Sequence, residues 1–516
     1  MFPISRILER AAQAWPAHPA LSDGDRSFTY TQMVDRARRL AAALRGLGLA
    51  TGDRVAILDA NSFRYVEAYY ACALAGLVIV PLNSRLAPPE LEYMLNDVGA
   101  RALLTSPPFF GQVTALRPSL PALQCVVALE EAGQLEGALD YEALLAAAAP
   151  LAAPAEIAPG DTLQIYYTGG TTGMPKGVCL THECVVLTAL DSILGMRFVP
   201  ADVWLHAAPL FHLADAWAVW CLPMVGGRQV VAKFEPELIL RTIAAERVTK
   251  TVLPTTLLNM FASHPLAKQC DLTSLDLIMF GGSPTPLGIL RRAQETVPCG
   301  YTHCYGITEC GGVATLLAPE AFTSDANEID RERHRSAGHP SPHIGLAVLD
   351  DDLRPVPQGE VGEIALSGPR IMKEYWRKPR ETAAALRGGW YLTGDLGYVD
   401  AEGYVYVIDR KKDMIITGGE NVYPIDVENV LSAHPQVLEV AVIGVPDERW
   451  GEAVTAIVVP REGAAPDAAE LTAYCRARVA SYKVPKRIVF SSEPLPKTGP
   501  SKVAKRLLRE RYSVPA

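Results

Sequence analysis

YYTGGTTGMPKGV, at residues 166–178, is the stretch that says most about the fold and chemistry of this chain. It lies between two apolar, strand-like runs, LQIYYT and VCLTH. Glycine lets main-chain N–H groups approach a ligand closely, and threonine hydroxyls can bond phosphate oxygens or a metal ion. The groups expected to cradle a polyphosphate are Thr168, Gly169, Gly170, Thr171, Thr172 and Gly173, with Lys176 as the counter-charge.

This segment differs from the loop of P-loop proteins. In the pattern G-x-x-x-x-G-K-[ST] the lysine follows a glycine, whereas Lys176 follows Pro175 and precedes Gly177. The apolar VCLTH after it predicts a strand, so no helix N-terminus is expected to receive the phosphate. A β-hairpin tip without a ligand is the alternative that this segment alone leaves open.

Composition places the chain among globular proteins with several domains. At 516 residues and 55.7 kDa it is too long for one compact core. Hydrophobic residues make up 49% and charged residues 20%, which excludes a disordered chain or a coiled coil. A net charge of −9 argues against nucleic acid or anionic lipid as a partner. Without a signal-like start or a long apolar run, we expect a cytoplasmic location and no membrane span.

Cysteine usage also argues against secretion. The ten cysteines are dispersed, and none belongs to a C-x-x-C pair. We therefore expect small core thiols in a reducing compartment rather than zinc ligands or disulfides.

Alternating strand and helix patterns predict an α/β fold. From Arg54, VAILDA and LVIVPL alternate with FRYVEAYYACALAG and PPELEYMLNDVG, as in the βαβ units of a parallel sheet. Residues 144–161, rich in alanine and proline, predict a surface connector. A second α/β layer follows, with strands at DVWLHAAPL, RQVVAK, VTKTVLP and LDLIMFGG and helices at 214–227 and 286–297.

The pattern changes twice more toward the C-terminus. Short strands separated by proline and glycine turns from residue 344 predict an antiparallel or barrel-like lobe. After Asp409, the segments PIDVENVLSAHP, VLEVAVIGV, EAVTAIVV and RIVFSS, with a long helix ending at Val484, predict a self-sufficient α+β unit. We expect an α/β protein with two parallel-sheet subdomains, a barrel-like lobe and a small α+β C-terminal domain, divided at 409–412.

Seven motifs in a fixed order make the chain resemble the adenylate-forming superfamily of acyl-CoA synthetases, aryl-CoA ligases, luciferases and peptide-synthetase adenylation domains. The resemblance covers essentially the whole chain. It implies an AMP-binding adenylation domain at 1–409, a hinge at 410–412 and a mobile domain at 413–516. The motifs are TGGTTGMPKG (168–177), PLFH (209–212), GGSP (281–284), YGITE (305–309), YLTGD (391–395), DRKKDMIITGGENVYP (409–424) and LPKTGPSK (495–502).

The resemblance implies how these motifs bind a nucleotide. Thr168 and Glu309 would hold Mg²⁺, a hard ion that prefers oxygen ligands, and Thr308 would hold the α-phosphate. Asp395 would accept the ribose hydroxyls, supported by Arg410. Taken singly, Glu309 could be a solvated loop acid and Asp395 an Asx-turn residue. The adenine side would be formed by Tyr305, Gly306, Gly281, Gly282 and Ser283, although Tyr305 alone could be a packed aromatic.

A C-terminal lysine is assigned to adenylation by the same resemblance. Lys502 matches the lysine that bridges the reacting carboxylate and phosphate. Ser501 stands where a glycine is usual, which leaves the backbone shape of this loop open. By composition alone, this basic tail would be a solubilising end.

The second half-reaction is assigned to the hinge. Lys412 takes the hinge position about which the small domain turns. Residues 416–423, with Gly418 and Gly419, would then face the pantetheine of CoA. Lys233 is a candidate contact for the 3′-phosphate of CoA, with a solvated lysine as the alternative.

The function implied is an ATP-dependent carboxylate–CoA ligase that forms acyl-CoA, AMP and pyrophosphate through an acyl-adenylate. It would use ATP, Mg²⁺ and CoA with a small-molecule carboxylic acid. The oligomeric state is open, with a homodimer as one candidate. One alternative passes the acyl group to a carrier protein or another acceptor. Alternatives from a different class are a P-loop kinase and a nucleotide-binding sensor.

The segments that line the acyl pocket in the family contain no lysine or arginine, at 210–220, 279–286 and 305–317. We therefore expect a hydrophobic monocarboxylic acid, either a medium- or long-chain fatty acid or an aryl acid. His212 would close over the carboxylate, or it is a packed core residue. Asp215, if it faces inward, would repel a second carboxylate. The expected lining is Phe211, Trp217, Trp220 and Met279, with Gly311 and Gly312 leaving room.

Overall fold

A computed structural model describes residues 4–168, 174–282, 285, 287–322, 333–417, 420–447, 449–498 and 502–512. For residues 287, 498 and 502 only the backbone is described. The elements below are numbered in chain order within these residues.

Helices begin and end at recognisable caps. The hydroxyl of Thr29 accepts the N–H of Gln32 at 3.3 Å, and the Gln32 amide oxygen accepts the N–H of Thr29 at 2.9 Å. The helices are α1 Ile4–Ala14, α2 Tyr30–Gly46, α3 Phe63–Ala75, α4 Pro88–Val98, α5 Phe110–Leu116, α6 Tyr141–Ala147, α7 His182–Met196, α8 Leu222–Val225, α9 Pro236–Glu246, α10 Thr255–Ser263, α11 Leu287–Thr296, α12 Pro379–Ala385, α13 Pro424–Ser432, α14 Ala468–Arg476 and α15 Lys505–Tyr512.

Strands alternate with these helices along most of the chain. They are β1 Pro19–Asp23, β2 Arg26–Thr29, β3 Arg54–Leu58, β4 Val78–Pro81, β5 Ala102–Thr105, β6 Cys125–Ala128, β7 Leu139–Asp140, β8 Thr162–Thr168, β9 Lys176–Thr181, β10 Val203–His206, β11 Arg228–Val231, β12 Lys250–Val252, β13 Leu277–Gly281, β14 Gly300–Tyr305, β15 Thr315–Leu317, β16 His339–Pro340, β17 Gly345–Leu349, β18 Gly362–Ser367, β19 Glu374–Tyr375, β20 Leu386–Arg387, β21 Trp390–Val399, β22 Val405–Arg410, β23 Ile415–Thr417, β24 Glu420–Val422, β25 Val437–Asp447, β26 Gly451–Pro460, β27 Arg487–Phe490, β28 Lys497–Thr498 and β29 Lys502–Val503.

Two large, mostly parallel sheets make up most of the molecule. The first has the order β19-β9-β8-β4-β3-β5-β6-β7, and the second has β16-β15-β14-β13-β12-β10-β11-β1-β2. In the first sheet, β8 and β3 to β7 run parallel, while β9 pairs antiparallel with both β8 and β19. In the second, β1 and β10 to β14 run parallel. The two predicted parallel-sheet subdomains are confirmed.

Three further sheets follow, the last being the two-stranded antiparallel pair of β28 and β29. Strands β17, β18, β20, β21 and β22 pair antiparallel, which confirms the antiparallel lobe predicted from residue 344. In the C-terminal part, β23 to β26 pair antiparallel and β27 adds in parallel, so the predicted α+β unit is present. The chain passes from one sheet to the other between Arg410 and Ile415. The domain limits at 409–412 stay a prediction.

The segment 370–376 joins the large sheets to the antiparallel lobe. Arg370 is fully buried, and its guanidinium pairs with Asp191 of α7 at 2.7 Å. The same guanidinium donates to the main-chain carbonyl of Cys310 at 3.2 Å and to that of Val313. Further along, β19 pairs with β9 of the first sheet. This one segment therefore fixes the turn after β14 relative to α7 and β9.

Residues 214–227 do not form the single helix that their sequence predicts. A 3₁₀ turn covers Ala216–Trp220, and the short helix α8 follows. Pro223 has no N–H to donate to the carbonyl of Val219, as a continuous helix would require. That carbonyl instead accepts a hydrogen bond from the Tyr70 hydroxyl at 2.7 Å.

Two other expectations need correction. The long helix predicted to end at Val484 stops with α14 at Arg476, and a 3₁₀ turn covers Ser481–Lys483. Val484 precedes Pro485, which disfavours helical backbone, and it is extended with φ −63° and ψ 129°. The connector predicted at 144–161 is shorter as well, because α6 continues to Ala147.

No helix in the described ranges is long and apolar enough to cross a membrane. All ten cysteines lie within these ranges as unpaired thiols, and six of them are buried. The prediction of core thiols is confirmed for those six.

Removing one charge of the buried pair should destabilise the fold. Asp191→Asn would leave Arg370 buried without its counter-ion, which typically costs about 3–5 kcal/mol. The matched control is Glu237→Gln, which breaks the exposed pair with Arg241 on α9 and should cost at most about 0.5 kcal/mol. Urea unfolding followed by tryptophan fluorescence measures both, and equal small effects would contradict this account.

Candidate active site

Glu309 is held from both its backbone and its side chain. It is nearly buried, at 9% exposure, in a 3₁₀ turn over Thr308–Cys310 that follows β14. The Tyr375 hydroxyl donates to Glu309 Oε1 at 2.8 Å, and the Met372 N–H donates to the Glu309 carbonyl at 2.7 Å. This carboxylate therefore has a fixed position.

One end of the glycine-rich loop contacts the tyrosine that holds this glutamate. Thr168 ends β8, and Lys176 begins the antiparallel β9. The Thr168 hydroxyl is 3.5 Å from the Lys176 carbonyl oxygen, and Lys176 Nζ lies 4.5 Å from the centre of the Tyr375 ring. Thr168 and Lys176 thus lie next to each other, and Tyr375 connects Lys176 to Glu309. The roles of these three residues stay predictions. The strand after the loop and the absence of a helix directly following Lys176 are confirmed.

A second cluster is built on three strands. Asp395 on β21 is 3% exposed and stands opposite Arg410 on β22 in the sheet register. Arg410 Nε lies 2.5 Å from Asp395 Oδ1, and the Tyr305 hydroxyl of β14 donates to Asp395 Oδ2 at 2.7 Å. The structure brings these three predicted residues together.

Electrostatics keep both partners of Asp395 protonated. Burial and the neighbouring Asp395 raise the pKa of Tyr305 well above 10, so its hydroxyl remains a donor. Burial opposes the charge of Arg410, but the surrounding acidic groups, Asp395 first, outweigh it and raise the pKa of the guanidinium. The carboxylate therefore faces one permanent cation and one neutral donor.

Tyrosines connect the two clusters. The Tyr391 hydroxyl lies 3.4 Å from the Tyr375 hydroxyl, and Tyr391 belongs to the strand that carries Asp395. Burial first, then Glu309 and Tyr375, raise the pKa of Tyr391. The phosphate-loop side and the Asp395 side thus form one continuous polar site.

A cleft of about 330 Å³ opens next to Arg410. Lys411 at its edge is held by Asp351 at 2.7 Å and Glu363 at 3.0 Å. Burial, followed by the nearby Arg410 and Arg509, lowers the pKa of Lys412 despite the opposing effect of Asp413. The lining residues are Thr393, Gly394, Arg410, Lys411 and Lys412.

Several predicted site residues lie at strand ends, and others are not described. Gly281 ends β13, and Gly282 follows it. Gly306 directly follows β14, and a Cβ there would collide with the main-chain oxygen of Gly312. Lys233 is exposed just beyond β11. Outside the described residues lie Gly169, Gly170, Thr171, Thr172, Gly173, Ser283, Gly418 and Gly419, together with the side chain of Lys502.

The structure corrects the expected role of Asp215. Its carboxylate is fully buried and accepts hydrogen bonds from Trp204 Nε1 at 2.9 Å and the Ala208 N–H at 3.2 Å. His206 Nδ1 lies 2.9 Å from the same group. With these partners Asp215 braces the loop that carries His212 and does not face a substrate.

The expected acyl lining is also corrected in part. Cβ atoms at Gly311 and Gly312 would collide with the Thr188 hydroxyl and the Leu213 carbonyl, so these glycines allow close packing rather than leaving room. Trp220 packs edge-on against Tyr69 and Tyr70, with centroid distances of 5.9 and 5.5 Å. Trp217 packs against Trp204 in the same core, while Phe211 and Met279 are buried.

His212 keeps an unsatisfied ring nitrogen. Its ring lies 4.6 Å from that of Phe211, and Nε2 is buried without a hydrogen-bond partner among the described residues. Burial, aided by the charge of Arg85, lowers the pKa of His212 to about 4. A neutral imidazole with one available nitrogen can bond a ligand oxygen, which supports its candidacy over a purely packed role.

Sequence reasoning missed Arg370, Met372 and Tyr375. They touch the Glu309 turn, but they lie about 60 residues downstream in GPRIMKEYW, which contains no charge cluster or glycine-rich loop. The only local signal was a pair of aromatic residues after a proline–glycine turn, which does not distinguish a site tyrosine from a packed one.

The fold and this site define a nucleotide-binding enzyme with a large α/β domain and a small C-terminal domain. The chain belongs to the AMP-binding enzyme family, whose sequence model matches residues 8–376. The model of the AMP-binding enzyme C-terminal domain matches residues 426–502. Membership of this family argues against the kinase and sensor alternatives.

Three similar proteins illustrate the family. A feruloyl-CoA synthase from Amycolatopsis sp is 39% identical over 510 residues, covering 98% of both chains. The fatty acid–acyl-carrier-protein ligase ScoC from Streptomyces coeruleorubidus is 37% identical, covering 97% of this chain and 95% of that protein. The o-succinylbenzoate CoA synthetase of Bacillus subtilis, in complex with its acyl-adenylate OSB-AMP, matches with a TM-score of 0.85 at 32% identity over 98% of both chains.

The imidazole of His212 should titrate far below its usual range. In the folded chain His212 binds a proton only near pH 4, whereas in the unfolded chain it binds one near pH 6.5. The free energy of unfolding should therefore decrease as the pH falls from 6.5 to 4. NMR of ¹³C-labelled histidines, assigned with His212→Gln, measures this directly. A signal that titrates near pH 6.5 and disappears in the variant would contradict the burial argument.

Proposed function

We propose that this chain is an ATP-dependent carboxylate–CoA ligase that forms acyl-CoA, AMP and pyrophosphate through an acyl-adenylate. The observation that carries the proposal is the chain of contacts from Lys176 through Tyr375 and Tyr391 to the strand of Asp395. It joins groups suited to a polyphosphate with groups suited to a ribose. The full-length similarity to CoA ligases supports the same conclusion.

In the first step, a carboxylate oxygen of the acid attacks the α-phosphorus of ATP. The bond from that phosphorus to the oxygen bridging the β-phosphate breaks, and pyrophosphate leaves. Negative charges meet in this step, so preorganised cations and donors lower the barrier. We assign Lys176 and residues 169–173 to the departing phosphates, Thr308 to the α-phosphate and Lys502 to the bridge between carboxylate and phosphate.

Mg²⁺ is part of this proposal. Thr168 and Glu309 offer one hydroxyl and one carboxylate, a small oxygen donor set that fits Mg²⁺ held jointly by protein and substrate phosphates. In the described ranges, no group of three or more His, Cys, Asp or Glu residues could hold a metal by itself. When bound, the ion would neutralise phosphate charge.

In the second step, the CoA thiol releases its proton to solvent, and its sulfur bonds to the acyl carbon. The bond from that carbon to the α-phosphate oxygen breaks, and AMP leaves with that oxygen. We propose that the domain at 413–516 turns about the hinge at 410–412 for this step. Lys412 lies in the cleft beside Arg410, where such a rotation would change the site. Gly418 and Gly419 would approach the pantetheine, and Lys233 the 3′-phosphate. The nucleotide would stay on Asp395, Arg410, Tyr305, Gly306, Gly281, Gly282 and Ser283.

We propose a hydrophobic monocarboxylic acid as substrate, either a medium- or long-chain fatty acid or an aryl acid. The buried Phe211 and Met279 and the neutral His212 support an apolar lining with one polar end. The similarity to a feruloyl-CoA synthase supports an aryl acid in particular.

Catalytic efficiency should therefore rise with the apolar size of the acid. Each buried methylene contributes about 0.8 kcal/mol, so kcat/KM for acyl-CoA formation should climb roughly fourfold per carbon until the pocket is full. The measurement compares acetate, hexanoate, decanoate, benzoate, cinnamate and malonate. A best rate with acetate or malonate would contradict the proposed substrate class.

Variants of Lys502 and Lys412 should each slow a different half-reaction. Lys502→Ala should slow acyl-adenylate formation about a hundredfold or more, because one charge-stabilising donor is lost, yet leave the reaction of synthetic acyl-AMP with CoA intact. Single-turnover assays of each half-reaction measure this. An equal loss of rate in both half-reactions would show that Lys502 has no special role in adenylation.

Lys412→Pro is the complementary variant, because a fixed φ at the hinge blocks rotation. It should still form acyl-adenylate but stop after a pyrophosphate burst of about one turnover. Parental steady-state turnover would show that this position is not the hinge.

Transfer of the acyl group to a carrier protein is the second candidate function. The similarity to the fatty acid–acyl-carrier-protein ligase ScoC favours it. Supplying CoA and a phosphopantetheinylated carrier in separate assays distinguishes the two acceptors. The acceptor, like the cytoplasmic location and the homodimer, stays a prediction.

A further inference from the structure

Tyr375 occupies the point where the phosphate-loop lysine, the turn of Glu309 and strand β21 meet. It is 4% exposed. Its hydroxyl donates to Glu309 Oε1 at 2.8 Å and lies 3.4 Å from the Tyr391 hydroxyl, while its ring faces Lys176 Nζ at 4.5 Å. One side chain therefore contacts both the lysine assigned to the phosphates and the glutamate assigned to Mg²⁺.

The backbone around Tyr375 is fixed to the strand that carries Lys176. Tyr375 stands opposite Val178 in the β19–β9 pairing, and the Trp376 N–H donates to the Gly177 carbonyl at 2.7 Å. The Tyr375 N–H itself donates to the Thr382 hydroxyl at 3.0 Å. The ring is thus placed against Lys176 by strand pairing, independently of its bond to Glu309.

We propose that Tyr375 is a positioning residue for the metal-bound nucleotide, an inference that rests on the proposed function. Its hydroxyl donates a hydrogen bond to Glu309 Oε1 and so leaves Oε2 to face the ion. Its ring restrains the Lys176 ammonium by a cation–π contact. The hydroxyl thus orients the glutamate that would bind the metal, and the ring orients the lysine that would bind the phosphate.

Two substitutions separate these contributions. Tyr375→Phe keeps the ring and removes the hydrogen bond, so it should raise the Kd of Mg·ATP about tenfold while leaving the Kd of metal-free ATP unchanged. Tyr375→Leu removes the ring as well and should also weaken metal-free ATP several-fold. Calorimetric titration of the full-length protein with ATP, with and without Mg²⁺, measures both constants without relying on turnover.

The matched control is Tyr141→Phe. The Tyr141 hydroxyl donates to the buried Glu67 at 2.6 Å, so this variant removes the same kind of tyrosine–glutamate bond in a network with Arg36. It should lower the unfolding temperature about as much as Tyr375→Phe but leave both nucleotide affinities unchanged. A shift in Mg·ATP affinity in both variants would reduce the role of Tyr375 to general packing.

The outcomes distinguish this inference from the proposed function. If the parent protein binds Mg·ATP and Tyr375→Phe binds it equally well, the positioning role is wrong and the ligase proposal stands. Equal weakening of Mg·ATP and metal-free ATP in Tyr375→Phe would also overturn the role. If the parent binds no ATP, the proposed function itself fails, and the inference fails with it. Selective loss of the magnesium-dependent affinity supports it.

Discussion

The buried ion pair between Arg370 and Asp191 is the interaction on which the arrangement of the site depends. Two charges removed from water are tolerated only when their geometry is fixed and their remaining hydrogen-bonding groups are satisfied. Here the guanidinium also bonds the carbonyls of Cys310 and Val313, and the His343 main-chain N–H donates to Asp191 at 3.1 Å. Neither the turn after β14 nor the segment after β18 can move without uncovering a charge.

The functional groups of the site come from distant parts of the chain. Lys176, Tyr305 and Asp395 lie on β9, β14 and β21, strands of three different sheets. Rigid strands hold side chains more firmly than loops, and a charge-stabilising site gains from groups that need no reorganisation during the reaction. The cleft beside Arg410 lies at the end of β22, where the chain leaves the antiparallel lobe for the C-terminal sheet.

The sequence predicted most of the fold, because strand and helix periods and the glycine–threonine loop leave local signals. Glu309 and Asp395 leave no such signal alone, and only the order of the seven motifs pointed to them. Tyr375 is not, because its role depends on pairing between β19 and β9, about 200 residues apart. Gly311 was misjudged because a missing side chain can admit either a ligand or a neighbouring Thr188, and only packing decides which.

The central claim is that one continuous site activates a carboxylate with ATP before any thiol is present. Exchange of labelled pyrophosphate into ATP tests it most directly, because the label returns only if adenylation is a separate, reversible step. We predict exchange that requires the acid and Mg²⁺ and proceeds without CoA. Acyl-CoA formation without any such exchange would contradict an adenylate intermediate and with it the assignment of this site.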